Sequence, residues 1–252
     1  MKKKSEMMRE LKQASVPERE RLLKLYAKDE RKGVQNLIEH YRRIMKNQQQ
    51  ERERVEKLCE YEKKYMQYDS ICGIDEVGRG ALAGPVVAGA VILPKDCRIL
   101  YINDSKKLSE KKREELYTMI TEKAISVGIG YLSSVHIDET NILEATYEAM
   151  RQAISKLSVR PKLLLNDAVR IPGVDIPQIS IIKGDIKSQS IAAASIVAKV
   201  IRDQLMLAYD KIIPGYGFAS NKGYGVKVHI KALKKYGPSM IHRKSFIKHF
   251  IF

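Results

Sequence analysis

Residues 73–80 read Gly-Ile-Asp-Glu-Val-Gly-Arg-Gly. A short apolar run ends in two adjacent carboxylates, Asp75 and Glu76, and Gly78-Arg79-Gly80 comes directly after. Burying two acids side by side is costly unless a cation or a proton compensates them. A divalent metal ion is the commonest compensation, because hard cations take carboxylate oxygens as ligands. Gly-Arg-Gly adds bare backbone donors and one guanidinium, chemistry suited to a phosphate or a sugar. On these eight residues alone, a strand that simply ends in a polar turn is the competing reading. The downstream sequence weighs against it.

Outward from this stretch the pattern is that of an α/β protein. Residues 71–77 and 85–93 are rich in Val, Ile and small residues, which predicts two strands of a buried sheet joined by the Gly-rich turn 78–84. Further strands are expected at 124–132, at the apolar run 163–165 that stops at Asn166-Asp167, and at 179–183, which runs into Gly184-Asp185. Helical spacing predicts helices near 110–124 with Ser109 as N-cap, over 139–157, from Ser190 onward in an Ala-rich stretch, and around 226–235. Strands first, then helices alternating with strands, predict a mixed sheet flanked by helices.

Three of the expected strands end in acid, at Asp75-Glu76, Asp167 and Asp185. Ligand sites in α/β sheets form where strand ends meet, so these four carboxylates can converge. Such a set attracts one or two Mg²⁺ or Mn²⁺ ions, and a paired-metal clamp is a recurring solution to phosphodiester cleavage. Neighbouring residues on a strand point to opposite faces, so Asp75 and Glu76 share a site only if the strand twists or ends there. Gly78 and Gly80 permit that bend.

The chain has 252 residues, a formal charge of +16 and a pI near 9.6, a balance that suits a polyanionic partner. Residues 1–68 are charge-dense, with nineteen basic against twelve acidic residues. Val34, Leu37, Ile38 and Tyr41 mark one face of an amphipathic helix there. The expected domains are therefore a helical, basic N-terminal extension over 1–68 and a catalytic domain over 69–252. Cys59, Cys72 and Cys97 lack zinc or redox spacing and read as reduced thiols. The Lys-rich start has no apolar segment after it and no stretch matches a membrane span, so a cytoplasmic protein that does not meet a membrane is expected. His136, His229, His242 and His249 have no zinc spacing, and surface or capping roles are expected for them, with His229 the best exception. Ser195 has no adjacent histidine and is not read as a nucleophile.

From about residue 71 to 246 the chain resembles ribonuclease HII, the type 2 ribonuclease H. The matching segments are GIDEVGRGALAGPVVAGAVILP, NDSKKLSEKKRE, LLLNDAV, IIKGDIKSQSIAAASIVAKVIRD, the Gly-Tyr-Gly at 223–225 followed by His229, and IHRKSF. The resemblance implies an RNase H-like fold and a metal-dependent endonuclease. Its substrates would be RNA–DNA hybrids and duplex DNA carrying single ribonucleotides, its products 3′-hydroxyl and 5′-phosphate ends, and its cofactor Mn²⁺ or Mg²⁺. It implies catalytic and metal-holding roles for Asp75, Glu76, Asp167 and Asp185. It also implies substrate contacts by Gly78, Arg79 and Gly80 at the ribose 2′-hydroxyl and phosphate, by Tyr224 at a neighbouring sugar, and by Lys106 at a phosphate. Val77, Asn166 and Ile186 depart from common family residues without removing a ligand. Residues 1–68 resemble the extension of some low-GC Gram-positive members, which implies no role for them. Ribonuclease HIII shares fold and acids but typically has Gly-Thr-Gly where this chain has Gly78-Arg79-Gly80. A catalytically silent nucleic-acid-binding protein is disfavoured because all four acids are present. Protein partners are not legible in the sequence.

Overall fold

The computed structural model describes residues 2–251. The chain divides into two compact units, Met1–Glu56 and Lys57–Phe252. The first unit contains α1 (Lys4–Gln13), α2 (Val16–Tyr26) and most of α3 (Lys32–Leu58). Its own core consists of Met7, Leu11, Leu23, Tyr26, Val34, Leu37 and Ile38, so the stripe read from Val34, Leu37 and Ile38 is an inward face. Residues 57–68, expected to be part of the extension, belong to the larger unit. There Leu58 packs with Val91, Ile99 and Ala192, while Tyr61, Tyr65 and Tyr68 lie against Leu163, Leu165 and Ile191. A short helix, α4 (Glu60–Lys64), carries part of this segment.

The larger unit is built on β1 (Ile71–Val77), β2 (Val86–Ile92), β3 (Ser126–Leu132), β4 (Leu163–Asp167) and β5 (Gln178–Ile181). The strand order is β3-β2-β1-β4-β5. β1, β2 and β3 pair antiparallel, whereas β4 joins β1 in parallel and β5 joins β4 in parallel. All of β2 is buried, as its unbroken run of Val, Ala, Gly and Ile requires of a strand covered on both faces. The helices are α5 (Glu110–Lys123), α6 (Ser134–Glu139), α7 (Ile142–Ser155), α8 (Gln189–Ile212), α9 (Phe218–Asn221), α10 (Lys227–Tyr236) and α11 (Lys244–Ile251). This is the expected mixed sheet with helices on its faces.

One face buries Cys72, Ile74, Ala88 and Leu164 with Ala145, Ala149 and Met150 of α7. The other meets α8 at unusually short range. A Cβ on Gly73 would stand 2.0 Å from the Ser190 carbonyl carbon, and one on Gly89 would stand 2.6 Å from the Ala194 carbonyl oxygen. Only glycine in the strand and small residues in the helix allow this approach. It brings the N-terminal half of α8 under the ends of β1 and β4.

Two local readings change. The helix expected over 139–157 is two helices, because Asn141 leaves the helical conformation and caps α7 by accepting the Leu143 and Glu144 N–H groups. The last strand stops at Ile181, so Asp185 is not at a strand end but in a single 3₁₀ turn, Gly184–Ile186. Lys183, at φ +57°, turns the chain between them. Among the described residues no helix is long and apolar enough to cross a membrane.

Candidate active site

β1 and β4 run in parallel as neighbours, which places Asp75, Glu76 and Asp167 at the same edge of the sheet. The register with β2 is unbroken through Val77, so Asp75 and Glu76 leave the strand on opposite sides, and it is at the end of β1 that both carboxylates come within electrostatic reach of Asp167. Asp75 shares its side with Gly73, the side of α8, and Asp167 shares it with Leu163 and Leu165. The 3₁₀ turn then carries Asp185 back to the same edge, because the Gly184 N–H donates to Asp167 Oδ1 at 2.7 Å.

The electrostatics record how these acids crowd one another. Asp75 is only 7% exposed. Burial, then the charges of Glu76 and Asp167, push its carboxyl well above the usual carboxylate range, while its hydrogen bond from Ser195 works in the opposite sense. Burial also raises Glu76, against the pull of Arg79, whose guanidinium lies 3.3 Å away. Asp185 is raised by burial and by the charges of Asp104 and Asp167, with Lys106 opposing. Lys106, in the loop before α5, therefore lies within electrostatic reach of Asp185.

Among the described residues no three Asp, Glu, His or Cys side chains already converge as a finished set of metal ligands. The donor chemistry nevertheless fits a hard divalent ion. Glu76 Oε2 is buried without a hydrogen-bond partner, and burial and two neighbouring acids disfavour the charged form of Asp75. Carboxylates left in that condition are what a hard cation relieves.

β1 ends at Val77, and Gly78 follows at φ +94°, a conformation suited to glycine. The loop from Gly78 to Pro85 is held from below by two fully buried arginines. Arg243 donates to the carbonyls of Gly78, Arg79 and Gly84 at 2.7–3.1 Å. Arg202 donates to Ala83 and Pro85, and also to Lys222 in the loop that carries Tyr224. Burial, then the charge of Arg202, pushes the Arg243 guanidinium down to about 9. The two loops meet directly, since the N–H groups of Leu82 and Ala83 both donate to the Gly223 carbonyl. Gly78, Arg79, Gly80 and Tyr224 are thus parts of one joined surface beside the acids.

Several residues of this surface were not legible as such. His229 and His242 are buried, which for His242 goes against the surface or capping role expected of it, while His229 is the expected exception. Their ring nitrogens meet at 3.0 Å, His229 Nδ1–H donates to the Tyr224 carbonyl, and His242 Nδ1 accepts from the Ser239 N–H. That chain fixes both rings as neutral, with His242 Nε2–H donating to His229 Nε2. Ser195 lies beside Asp75, and its hydroxyl is 3.0 Å from that of Ser105. Arg202 offers a faint signal, a basic residue directly after the apolar pair Val200-Ile201, whereas Arg243 lies in the polar run His242-Arg243-Lys244-Ser245 and offers none.

The family described as Ribonuclease HII matches residues 72–249, and the one described as Ribonuclease HII N-terminal domain matches 5–66. The chain belongs to the ribonuclease HII family. A ribonuclease HII of Lachnoclostridium phytofermentans is 69% identical over 223 residues, 88% of either chain. Among solved structures, ribonuclease H2 of Pyrococcus horikoshii OT3 is similar in fold, with TM-score 0.60 and 24% identity over 72% of this chain and 97% of that one. A Bst-RNase HIII solved in complex with Mn²⁺ shares the fold at TM-score 0.52 and 17% identity, over 70% and 67% of the two chains. As a ribonuclease HII the chain is a type 2 ribonuclease H, an endoribonuclease acting on RNA–DNA hybrids.

Proposed function

We propose that this ribonuclease HII cuts at single ribonucleotides embedded in duplex DNA as well as in hybrids, depends on Mn²⁺ or Mg²⁺, and leaves 3′-hydroxyl and 5′-phosphate ends. The observation that carries the reading is the direct joint between the acidic edge and a sugar-reading surface. Glu76 is paired with the guanidinium of Arg79, three residues on, and the Gly78-Arg79-Gly80 loop is bonded to the Tyr224 loop. Asp75, Glu76, Asp167 and Asp185 would hold the ions. Bound there, divalent ions supply charge neutralisation at the phosphate and acidify a water.

The remaining work falls to the chain's own groups. With the Gly78 and Arg79 carbonyls bonded to Arg243, and no bond from the backbone N–H groups of 78–80 among the described residues, the loop can offer those donors to a ribose hydroxyl and the adjacent phosphate. The 2′-hydroxyl is the only group that distinguishes a lone ribonucleotide from its DNA neighbours, and Tyr224 would present a ring to the adjoining sugar. Lys106, within electrostatic reach of Asp185, would meet a backbone phosphate as a point charge. The test is cleavage of a DNA duplex carrying one ribonucleotide, with Mg²⁺ and with Mn²⁺, followed by identification of the ends. Cleavage of hybrids alone, or cleavage in excess chelator, would refute the proposal.

A further inference from the structure

Arg202 is fully buried, and its hydrogen bonds to the chain are to carbonyl oxygens. Nε donates to Pro85 at 2.9 Å and Nη2 to Ala83 at 3.2 Å, both on the limb of the loop that follows Gly78-Arg79-Gly80. Nη1 donates to Lys222 at 2.9 Å, on the loop that carries Tyr224, and the guanidinium carbon lies 5.4 Å from the centre of the Tyr224 ring. The same side chain underlies Gly78, where a Cβ would come within 2.2 Å of Nε. One planar group therefore touches both loops and the tyrosine itself.

Filling core volume does not account for this. Taking a guanidinium out of water is expensive, and an apolar side chain of similar size generally packs a core at lower cost. What a guanidinium alone offers is a rigid fork of donors in one plane, able to hold several carbonyls in fixed relative positions. Here those carbonyls belong to two segments more than a hundred residues apart in the chain.

We infer that Arg202 is a positioning residue which sets the spacing between the Gly78-Arg79-Gly80 backbone and the Tyr224 ring, and thereby the preference for a lone ribonucleotide. The inference rests on the proposal that these two groups meet the ribonucleotide and its neighbour. A long hybrid presents a 2′-hydroxyl at every step and tolerates a shifted register. A single ribonucleotide offers one, so both contacts must fall on it together. Misplacement near a reacting group by about 1 Å can cost about a hundredfold.

The readout is the ratio of kcat/KM on a duplex with one ribonucleotide to kcat/KM on a continuous RNA–DNA hybrid of the same sequence. It is measured on the full chain for Tyr224→Ala, Arg202→Lys and the double variant. Tyr224→Ala is expected to lower the ratio. Arg202→Lys keeps the charge but removes the fork, and is expected to lower it about ten- to a hundredfold. The double variant is expected to fall little below Tyr224→Ala alone, because no ring is left to place. An unchanged ratio in Tyr224→Ala refutes the underlying proposal. A lowered ratio there, with equal losses on both substrates in Arg202→Lys, overturns the inference and leaves the proposal standing. If Arg202→Lys fails to fold, Gly223→Ala opens the same joint from the other side. Gly223 has φ +83°, and a Cβ there would meet the Ala83 carbonyl oxygen at 2.3 Å. A lowered ratio in Gly223→Ala then supports the inference, and an unchanged one overturns it.

Discussion

The Arg79 guanidinium stands 3.3 Å from the Glu76 carboxylate, so the arm proposed to meet a phosphate is paired with an acid proposed to hold an ion. Arg79 and the ion compete for Glu76. The Arg79 side chain is 43% exposed, and pairs of that kind are worth about 1 kcal/mol or less. In Arg79→Gln, divalent-ion affinity measured by calorimetry on protein alone should rise, by no more than about fivefold. Over the same change KM for nucleic acid should rise, because the variant cannot make a charge-assisted hydrogen bond to phosphate. If ion affinity fell instead, Glu76 would not be a ligand.

Asp75→Asn separates stability from turnover. The Asp75 carboxyl is held above its ordinary value by burial and by Glu76 and Asp167, so its ionisation at neutral pH opposes folding. The folded chain binds that proton more tightly than the unfolded one, and stability from this group falls as pH rises through the raised value. Asn keeps the shape without the charge. The ion-free variant should melt higher than the parent, by roughly 2–4 °C for each kcal/mol relieved. Mn²⁺ is expected to raise the Tm of the parent and should not raise that of the variant, and turnover should fall by orders of magnitude while hybrid is still bound. A variant that melts lower without ions and cleaves normally would mean that Asp75 is a structural acid.

The contrast between Asp167 and Arg202 shows what the sequence could and could not disclose. Strand-length apolar runs ending in Asp75-Glu76 and Asp167 are local patterns, and parallel pairing of two such strands brings their ends together without further information. Asp185 was visible as an acid after an apolar run, but the turn that returns it to the edge depends on Lys183 adopting a left-handed conformation, which its residue type does not announce. Arg202, Arg243 and the two histidines have their partners 3 to 165 residues away. The two arginines act through contacts to carbonyls, and a carbonyl has no sequence signature. Periodicity likewise runs on from α3 into α4 and does not mark that Leu58 and Tyr61 pack in the larger unit.

The paired histidines make acid stability a readout of the Tyr224 loop. Burial, then the charge of His229, hold His242 down to about 4, and burial also lowers His229. A histidine whose folded value lies below its unfolded one stabilises fully above about pH 6.5, and this stabilisation is lost as pH falls toward about 4. His242→Asn should therefore melt below the parent at pH 7, and the gap should shrink steadily between pH 7 and pH 4. Carboxylates common to both chains cancel in the difference. A gap that stays constant across that range would mean that neither ring needs to be neutral.

Truncation of the N-terminal unit should have different consequences according to where the chain is cut. Residues 1–56 carry sixteen basic and ten acidic residues and none of the candidate catalytic groups. A chain beginning at Lys57 keeps Leu58 and Glu62. Glu62 accepts the Ser188 hydroxyl at 2.6 Å and the Ser190 N–H at 2.9 Å, so its carboxylate caps the N-terminus of α8, the helix that underlies the acids. This chain should fold and keep its ion requirement, but bind duplex more weakly with a flatter salt dependence. For every phosphate it no longer neutralises, the slope of log K against log salt should fall by about 0.9. A chain beginning near Gln67 also lacks Glu62, and removal of a cap of this kind costs about 0.5–2 kcal/mol. It should therefore melt below the Lys57 chain while showing the same salt slope. Equal melting temperatures would remove Glu62 from the support of α8. An unchanged salt slope in both chains would mean that residues 1–56 do not meet the nucleic acid.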